Sequence, residues 1–247
     1  GCILGYFTVW QGPENNVCDS LNIQKRNEVL IGWSKDGFHW NRENKKPFLP
    51  VSEDFHAWNA GNVQSTAGSP LIVGDSLYFY VSGRYNSKPK HDSNFATGLA
   101  MLRRDGFVSM RAGRKEGYIE IKTQIPANGN YLFVNADVKG TLAVEVLDDN
   151  GQPMEGFTKK DCISMKKSDK TKQMISWEKH PGVTSLVGKT VRLKFYLNQA
   201  DIYAFWISAW QTGESGGYTG GGGPGLSDEG IDCLLYTSPS PRDKRQS

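Results

Sequence analysis

The chain has 247 residues, 38% hydrophobic and 11% aromatic, which is enough for the core of one large or two modest β domains. No apolar run approaches the roughly 20 residues that a membrane-spanning helix needs, so no membrane span is expected. The formal net charge of +3 falls to +1 without residues 233–247, which hold three basic side chains and one acidic one. A nucleic-acid partner is therefore not expected either.

Residues 1–112 contain apolar and aromatic runs separated by turn-forming clusters of Gly, Pro, Asn and Asp. The predicted strands cover residues 3–10, 28–34, 38–41, 69–73, 76–82 and 97–103. The clusters at residues 12–16 and 74–75 are predicted to be turns.

Two elements of this region recur at nearly one spacing. The triplet Asp-Gly-Phe occurs at residues 36–38 and 105–107, sixty-nine residues apart, and a strand-like run precedes each copy, at residues 4–10 and 77–83. An Asp-Gly pair between apolar runs favours a hairpin turn, because Gly accepts positive φ and Asp bonds to nearby backbone. A recurring unit of short strands predicts the blades of a β-propeller.

About two blades fit into residues 1–112, whereas a propeller has about four to eight. We therefore expect an incomplete propeller in a chain that is part of a longer protein. The first residue is Gly rather than Met, so a signal peptide cannot be sought at this end. The localisation is left open, with secretion compatible with the sequence.

Residues 113–211 have longer strands with regular two-residue alternation. Leu142, Val144 and Val146 share one face, and the apolar residues at 191, 193, 195 and 197 share another. Long half-buried strands without a helical pattern predict a two-sheet β-sandwich.

The C-terminal region differs in composition from both. Residues 212–232 are predicted to be a flexible linker, because nine Gly and one Pro fall within residues 213–230. Residues 233–243 resemble the in-frame translation of a sequencing adapter, so residues 233–247 are expected to be a tail without function; an ordinary Ser- and Pro-rich tail is the alternative.

Of the three cysteines outside this tail, Cys2 and Cys18 are compatible with a disulfide bridge or with two buried thiols, and Cys162 completes no metal motif.

Residues 34–40 (Ser-Lys-Asp-Gly-Phe-His-Trp) resemble the Asp-box of sialidase-type propellers, with one residue fewer between Asp and Trp. In such a turn Asp36 accepts backbone N–H bonds and Trp40 packs between sheets. Asp36 is therefore predicted to be structural rather than catalytic.

A wider resemblance covers nearly the whole chain before the tail. It is carried by residues 11–15 (Gln-Gly-Pro-Glu-Asn), 27–31 (Asn-Glu-Val-Leu-Ile), 34–40, 102–107 (Leu-Arg-Arg-Asp-Gly-Phe) and 203–207 (Tyr-Ala-Phe-Trp-Ile). These stretches resemble proteins described as similar to glycoside hydrolase family 32, which joins a five-bladed propeller to a C-terminal β-sandwich. The resemblance implies an all-β fold (an incomplete five-bladed β-propeller over residues 1–112, then a β-sandwich over 113–211), a carbohydrate ligand and retaining glycosidic hydrolysis.

Retaining hydrolysis needs a carboxylate nucleophile and a carboxylic acid about 5 Å apart. The three acidic motifs of the fructan-cleaving family are absent, and Arg104-Asp105 is followed by Gly106 rather than by Pro. The catalytic carboxylates are therefore expected mostly in upstream blades, and this chain alone is predicted to be inactive. Its own catalytic candidates are Glu28, before an apolar strand, and Glu14, in a turn; a solvated loop charge is the alternative for each.

Trp10, Trp58, Gln64 and Arg84 are the predicted substrate-binding residues. Aromatic faces and a bidentate guanidinium suit polyhydroxyl ligands, and Gln64 is expected to open an inner strand. For both tryptophans, burial in a β core is the alternative. The four His residues have no ligand spacing with Cys or carboxylates, so no metal and no other cofactor is predicted.

The predicted function is that of a glycoside hydrolase-like protein that acts on or binds an oligo- or polysaccharide in the propeller pocket. The alternative is a non-catalytic carbohydrate-binding or structural protein on the same scaffold. A pair of inward-facing carboxylates would distinguish the enzyme from the binding protein, and saturable sugar binding would distinguish both from a scaffold.

Overall fold

The computed structural model describes residues 3–22, 25–54, 56–66, 70–86 and 93–214. These residues are mostly strands with one α-helix, which confirms the predicted all-β class. They divide into two compact units, Gly1–Leu71 with Leu77–Met101, and Ile72–Ser76 with Leu102–Ser247. Cys2, the predicted tail over residues 233–247 and most of the predicted linker over residues 212–232 lie outside the described residues.

The N-terminal strands form one seven-stranded sheet. Its strands are β1 (Ile3–Trp10), β2 (Asn27–Ser34), β3 (Trp40–Asn41), β4 (Asn62–Thr66), β5 (Leu71–Val73), β6 (Ser76–Asn86) and β7 (Ser93–Arg103). Their order is β1-β2-β4-β6-β5, with β3 paired to β2 and β7 paired to β6. β1 and β2 are antiparallel over their full length, so Trp10 at the end of β1 lies opposite Asn27 at the start of β2.

A short helix, α1 (Asn15–Leu21), begins within residues 12–16, which the sequence predicts to be a turn, and continues beyond them. The Glu14 carbonyl accepts the N–H groups of Val17 and Cys18, each at 3.0 Å. The helix buries Cys18, which is a free thiol. At about two turns it is too short to show a helical period, so the sequence pattern predicts only the turn.

Three aromatic rings pack together in the N-terminal unit. Tyr6 stacks on Phe48 at 5.7 Å between ring centroids, and both rings meet Phe79 edge-on at 5.7 and 5.6 Å. Burial raises the pKa of Tyr6 to about 12. These contacts join β1, β6 and the chain that follows β3 into one core.

The turn from β2 to β3 is held by Asp36. Its Oδ1 accepts the N–H groups of Phe38 at 2.9 Å and His39 at 2.8 Å, and its Oδ2 lies 2.6 Å from Nδ1 of His39. Trp40 packs edge-on against Phe7, with ring centroids 5.1 Å apart. Asp36 therefore has the turn-forming role that the sequence predicts.

The second Asp-Gly-Phe triplet adopts a different turn. In the first triplet the positive φ falls on Gly37, at +81°, whereas in the second it falls on Asp105, at +54°. The N–H of Gly106 donates to the Arg103 carbonyl at 2.8 Å. The triplets are thus repeated in sequence but not in backbone conformation.

The Asp36 carboxyl is expected to titrate below the usual range of an aspartate. Hydrogen bonds from the His39 imidazole, and then from the backbone N–H groups of His39 and Phe38, lower the pKa of Asp36. Since the folded-state pKa lies below the unfolded value, this contribution to stability is present above the unfolded pKa and is lost as the pH falls through the folded pKa. The amide NMR shifts of Phe38 and His39, followed against pH, should therefore have a midpoint well below about 3.9.

Two variants test the cause of that shift. His39→Ala should move the midpoint upward, because the imidazole makes the largest contribution, and Asp36→Asn should remove the titration altogether. A midpoint that His39→Ala leaves in place would contradict the assigned cause.

The C-terminal strands form one five-stranded sheet. Its strands are β8 (Met110–Ala112), β9 (Gly117–Gln124), β10 (Tyr131–Leu147), β11 (Met165–Ile175) and β12 (Thr190–Ser208), with a short 3₁₀ turn at Thr184–Leu186. The order is β11-β10-β12-β8, with β9 also paired to β12. The longest pairing runs from Tyr131 opposite Ser208 to Leu147 opposite Arg192.

One face of this curled sheet carries the core. Leu142, Val144 and Val146 are fully buried, as the alternation predicts, and residues from both halves of β10 join the same apolar cluster. The register shifts between Val138 and Thr141. A Cβ on Gly140 would lie 2.4 Å from the Asn198 carbonyl oxygen, so this close approach of β10 to β12 requires glycine.

Candidate functional site

Trp10 is fixed at the end of β1 with its indole partly exposed. Its Nε1–H donates to the Gly12 carbonyl at 2.7 Å and to the Pro13 carbonyl at 3.0 Å. The ring therefore lies against the turn that leads into α1, and 41% of the residue stays accessible. Because its only polar atom is already bonded, the ring offers an aromatic surface rather than a donor.

Glu14 lies beside this indole, so the structure brings together two residues that the sequence predicts for the site. Trp10, Glu14, Asn15 and Asn16 line an open depression of about 480 Å³. The Oδ1 of Asn16 accepts the N–H of Val17 at 2.9 Å, which fixes that side chain. An aromatic surface flanked by a carboxylate and two amides is able to stack on a sugar ring and to hydrogen-bond its hydroxyls.

Glu28 has a different setting. It is 1% exposed, and its Oε1 accepts from Arg26 at 3.0 Å and from the Val51 N–H at 3.1 Å. Arg26 also donates to Glu53 at 3.0 Å, and its hydrogen bonds to the carboxylates of Glu28 and Glu53 raise the pKa of Arg26. In this geometry Glu28 connects β2 to the chain around Val51, and a catalytic role for it stays a prediction.

A row of four residues crosses the N-terminal sheet from Trp10. Trp10 lies opposite Asn27 on β2, Asn27 opposite Asn62 on β4, and Asn62 opposite Arg84 on β6. Residues directly opposite on paired strands point to the same face of the sheet. Trp10 and Arg84, both predicted to bind substrate, therefore lie at the two ends of this row. The two asparagines lie between them.

The far end of this row contains polar atoms without partners. Asn62 Oδ1 and Arg84 Nε are enclosed, and neither makes a hydrogen bond to any residue that the structure describes. The guanidinium of Arg84 lies over the ring of Phe95, 4.6 Å from its centroid. Buried polar groups are normally hydrogen-bonded, so an unpaired atom on each of two residues that are opposite in register indicates a place where a further polar group belongs.

Trp58 lies on the opposite face of the sheet. A Cβ on Gly83 or on Gly98 would lie 2.3 Å from its indole carbons, so the ring rests on a surface that only glycine leaves open. Gly83 precedes Arg84 on β6, and neighbouring residues of a strand point to opposite faces. Trp58, which is 37% exposed, is thus separated from the Trp10 row by the sheet.

Gln64 is exposed at an irregularity of β4. The pairing of β4 with β6 shifts register between Val63 and Ser65, so Gln64 is the extra residue of a β-bulge. Its backbone carbonyl accepts a hydrogen bond from the Thr8 hydroxyl, which joins β4 to β1. The bulge separates Gln64 from the regular row that contains Asn62.

Within the described part of the chain, no three His, Cys, Asp or Glu side chains come together as a metal-binding group. No helix among the described residues is long and apolar enough to cross a membrane. Comparison with protein-family models, curated proteins and solved structures finds no match to this chain. Its function must therefore be inferred from the geometry of the site.

Proposed function

We propose that this protein binds carbohydrate on its N-terminal unit, at the depression beside Trp10. The observation that carries the proposal is the indole of Trp10, which two backbone carbonyls hold in place with its surface accessible. Stacking on such a fixed ring costs little side-chain entropy, and the neighbouring carboxylate and amides supply acceptors and donors for hydroxyl groups.

Binding without hydrolysis is the activity proposed for this chain by itself. Glu14 is the one carboxylate among the described residues that line the depression, whereas retaining hydrolysis requires two. Hydrolysis by a longer parent protein, and the description of the two units as a partial propeller followed by a sandwich, belong to the same proposal. They are supported by the family resemblance of the sequence and by the all-β fold of both units.

The test is binding of the full chain to a panel of neutral and acidic oligosaccharides, measured by calorimetry, with Trp10→Ala as the variant. We expect saturable binding by the wild type and a loss of affinity of about fivefold or more in Trp10→Ala, since aromatic stacking contributes roughly 1 kcal/mol or more and about 1.4 kcal/mol is tenfold. Reducing-sugar release by the chain should stay at background.

Trp33→Ala is the matched control. Trp33 lies on the adjacent strand β2 and is 43% exposed, compared with 41% for Trp10, so its loss removes an equally accessible indole outside the depression. The Trp33→Ala variant should bind the oligosaccharide with the affinity of the wild type. Absence of binding to every oligosaccharide, or equal affinities for Trp10→Ala and wild type, would refute the proposal.

A further inference from the structure

Arg84 has no carboxylate partner among the described residues, although part of its side chain is enclosed. Other arginines of the chain pair with acids: Arg26 with Glu28 and Glu53, Arg103 with Asp169, Arg111 with Asp201, and Arg192 with Glu120. Arg84 instead lies over the ring of Phe95, and its Nε is enclosed without a hydrogen bond within the described part of the chain. A partly desolvated cation without a counter-charge is unfavourable, so this position favours an anionic ligand group.

Arg42 shows that an aromatic contact alone does not explain this setting. Its guanidinium lies 5.1 Å from the centroid of Phe7, a contact of the same kind. Arg42, however, is an exposed residue, whereas Arg84 is half-buried and lies opposite Asn62, which carries a second unpaired atom. Water solvates the guanidinium of Arg42, whereas the guanidinium of Arg84 lacks part of that solvation.

The second unpaired atom defines what the ligand must carry besides its charge. Asn62 Oδ1, an acceptor on a residue that is 9% exposed, lies directly opposite Arg84 in register. It requires a donor, whereas the Arg84 guanidinium requires an acceptor. A sugar acid offers both, because its carboxylate accepts from arginine and its hydroxyls donate to an amide oxygen.

We propose that the ligand of this row is an acidic oligosaccharide, whose carboxylate binds Arg84 while a sugar ring of the same molecule stacks on Trp10. This inference rests on the proposed carbohydrate binding and adds the chemical class of the ligand. Three strand spacings separate Trp10 from Arg84, about 14 Å along the sheet. The ligand is therefore an oligosaccharide rather than a monosaccharide, and Asn27 and Asn62 lie between its two ends.

The experiment compares pairs of oligosaccharides that differ only in the acid group: uronic-acid oligomers of several linkages and their carboxyl-reduced counterparts, measured by calorimetry on the full chain. We expect at least one acidic member to bind about tenfold to a hundredfold more tightly than its reduced counterpart, as a charge-assisted hydrogen bond allows. Added salt should narrow this difference, because the interaction is electrostatic.

Arg84→Gln should abolish the preference of the wild type for the acidic member of each pair. Arg42→Gln removes the same charge from an exposed guanidinium over an aromatic ring, so it should keep the preference. Arg84→Lys keeps the positive charge but not the planar guanidinium, so it should retain part of the preference for the acidic sugar. Should Arg84→Gln fail to fold, the salt dependence of the wild type and the Arg84→Lys variant decide the question.

The outcomes separate this inference from the proposed function. Equal affinities within every pair, or an equal loss of preference in the Arg42→Gln and Arg84→Gln variants, would overturn the acidic ligand while carbohydrate binding stands. Absence of binding to both members of every pair would overturn both.

Discussion

Trp177→Ala is expected to lower the free energy of unfolding of the C-terminal unit by about 3–5 kcal/mol. Trp177 is 1% exposed, and its ring meets Phe157 edge-on with centroids 5.1 Å apart. Its indole N–H donates to the Val144 carbonyl at 3.0 Å. The truncation therefore removes a large buried ring, leaves a cavity and deletes one hydrogen bond. Denaturant unfolding of the full chain, followed by circular dichroism, measures the loss.

Two further variants separate the contributions of the ring. Trp177→Phe keeps an aromatic ring but loses the donor, so it should cost less than the alanine variant. Trp210→Ala removes an indole that is 48% exposed in the same unit and should change stability by no more than about 0.5 kcal/mol. Equal effects of Trp177→Ala and Trp210→Ala would show that Trp177 is not part of the core.

Glu28→Gln is expected to destabilise the N-terminal unit by about 1–3 kcal/mol. The substitution neutralises an enclosed carboxylate that accepts hydrogen bonds from Arg26 and from the Val51 N–H. The glutamine retains one acceptor oxygen, so the shape and part of the bonding survive. Hydrogen exchange of the amides of β2, together with denaturant unfolding of the full chain, assigns the loss to this strand.

Glu53→Gln provides the matched control, because Glu53 contacts the same guanidinium at the same distance of 3.0 Å but is 83% exposed. An exposed ion pair contributes about 0–1 kcal/mol, so this variant should have little effect. A loss in Glu53→Gln as large as that in Glu28→Gln would mean that burial does not determine the role of Glu28.

The strands of this protein are largely predictable from local pattern, because side chains alternate between two faces and apolar residues occupy the buried one. β1 has the predicted bounds, and β2 begins one residue before them. The predicted strand over residues 38–41 is reduced to Trp40–Asn41, because Asp36 binds the backbone of residues 38 and 39 in a turn. Local bonding by one carboxylate there overrides strand propensity.

The candidate site was predictable only in part. The residue types of Trp10 and Arg84 indicate possible sugar contacts in the sequence, and that of Glu14 indicates a possible catalytic carboxylate. The fold brings Trp10 and Glu14 to one depression. Asn27 and Asn62 have no such mark, since asparagines are common in loops and at strand ends. Their place in the row follows from strand register, which depends on contacts between distant parts of the chain.

The sequence by itself determined the all-β class, most of the strands and the turn-forming role of Asp36, because these depend on side-chain alternation and on bonds between near neighbours. Only the tertiary structure decided that Trp10 and Arg84 share a face, that Trp58 lies on the other, and that Glu28 is enclosed. Each of these depends on which strand lies beside which, and in what register. Residues far apart in the chain set that pairing together, and no local pattern encodes it.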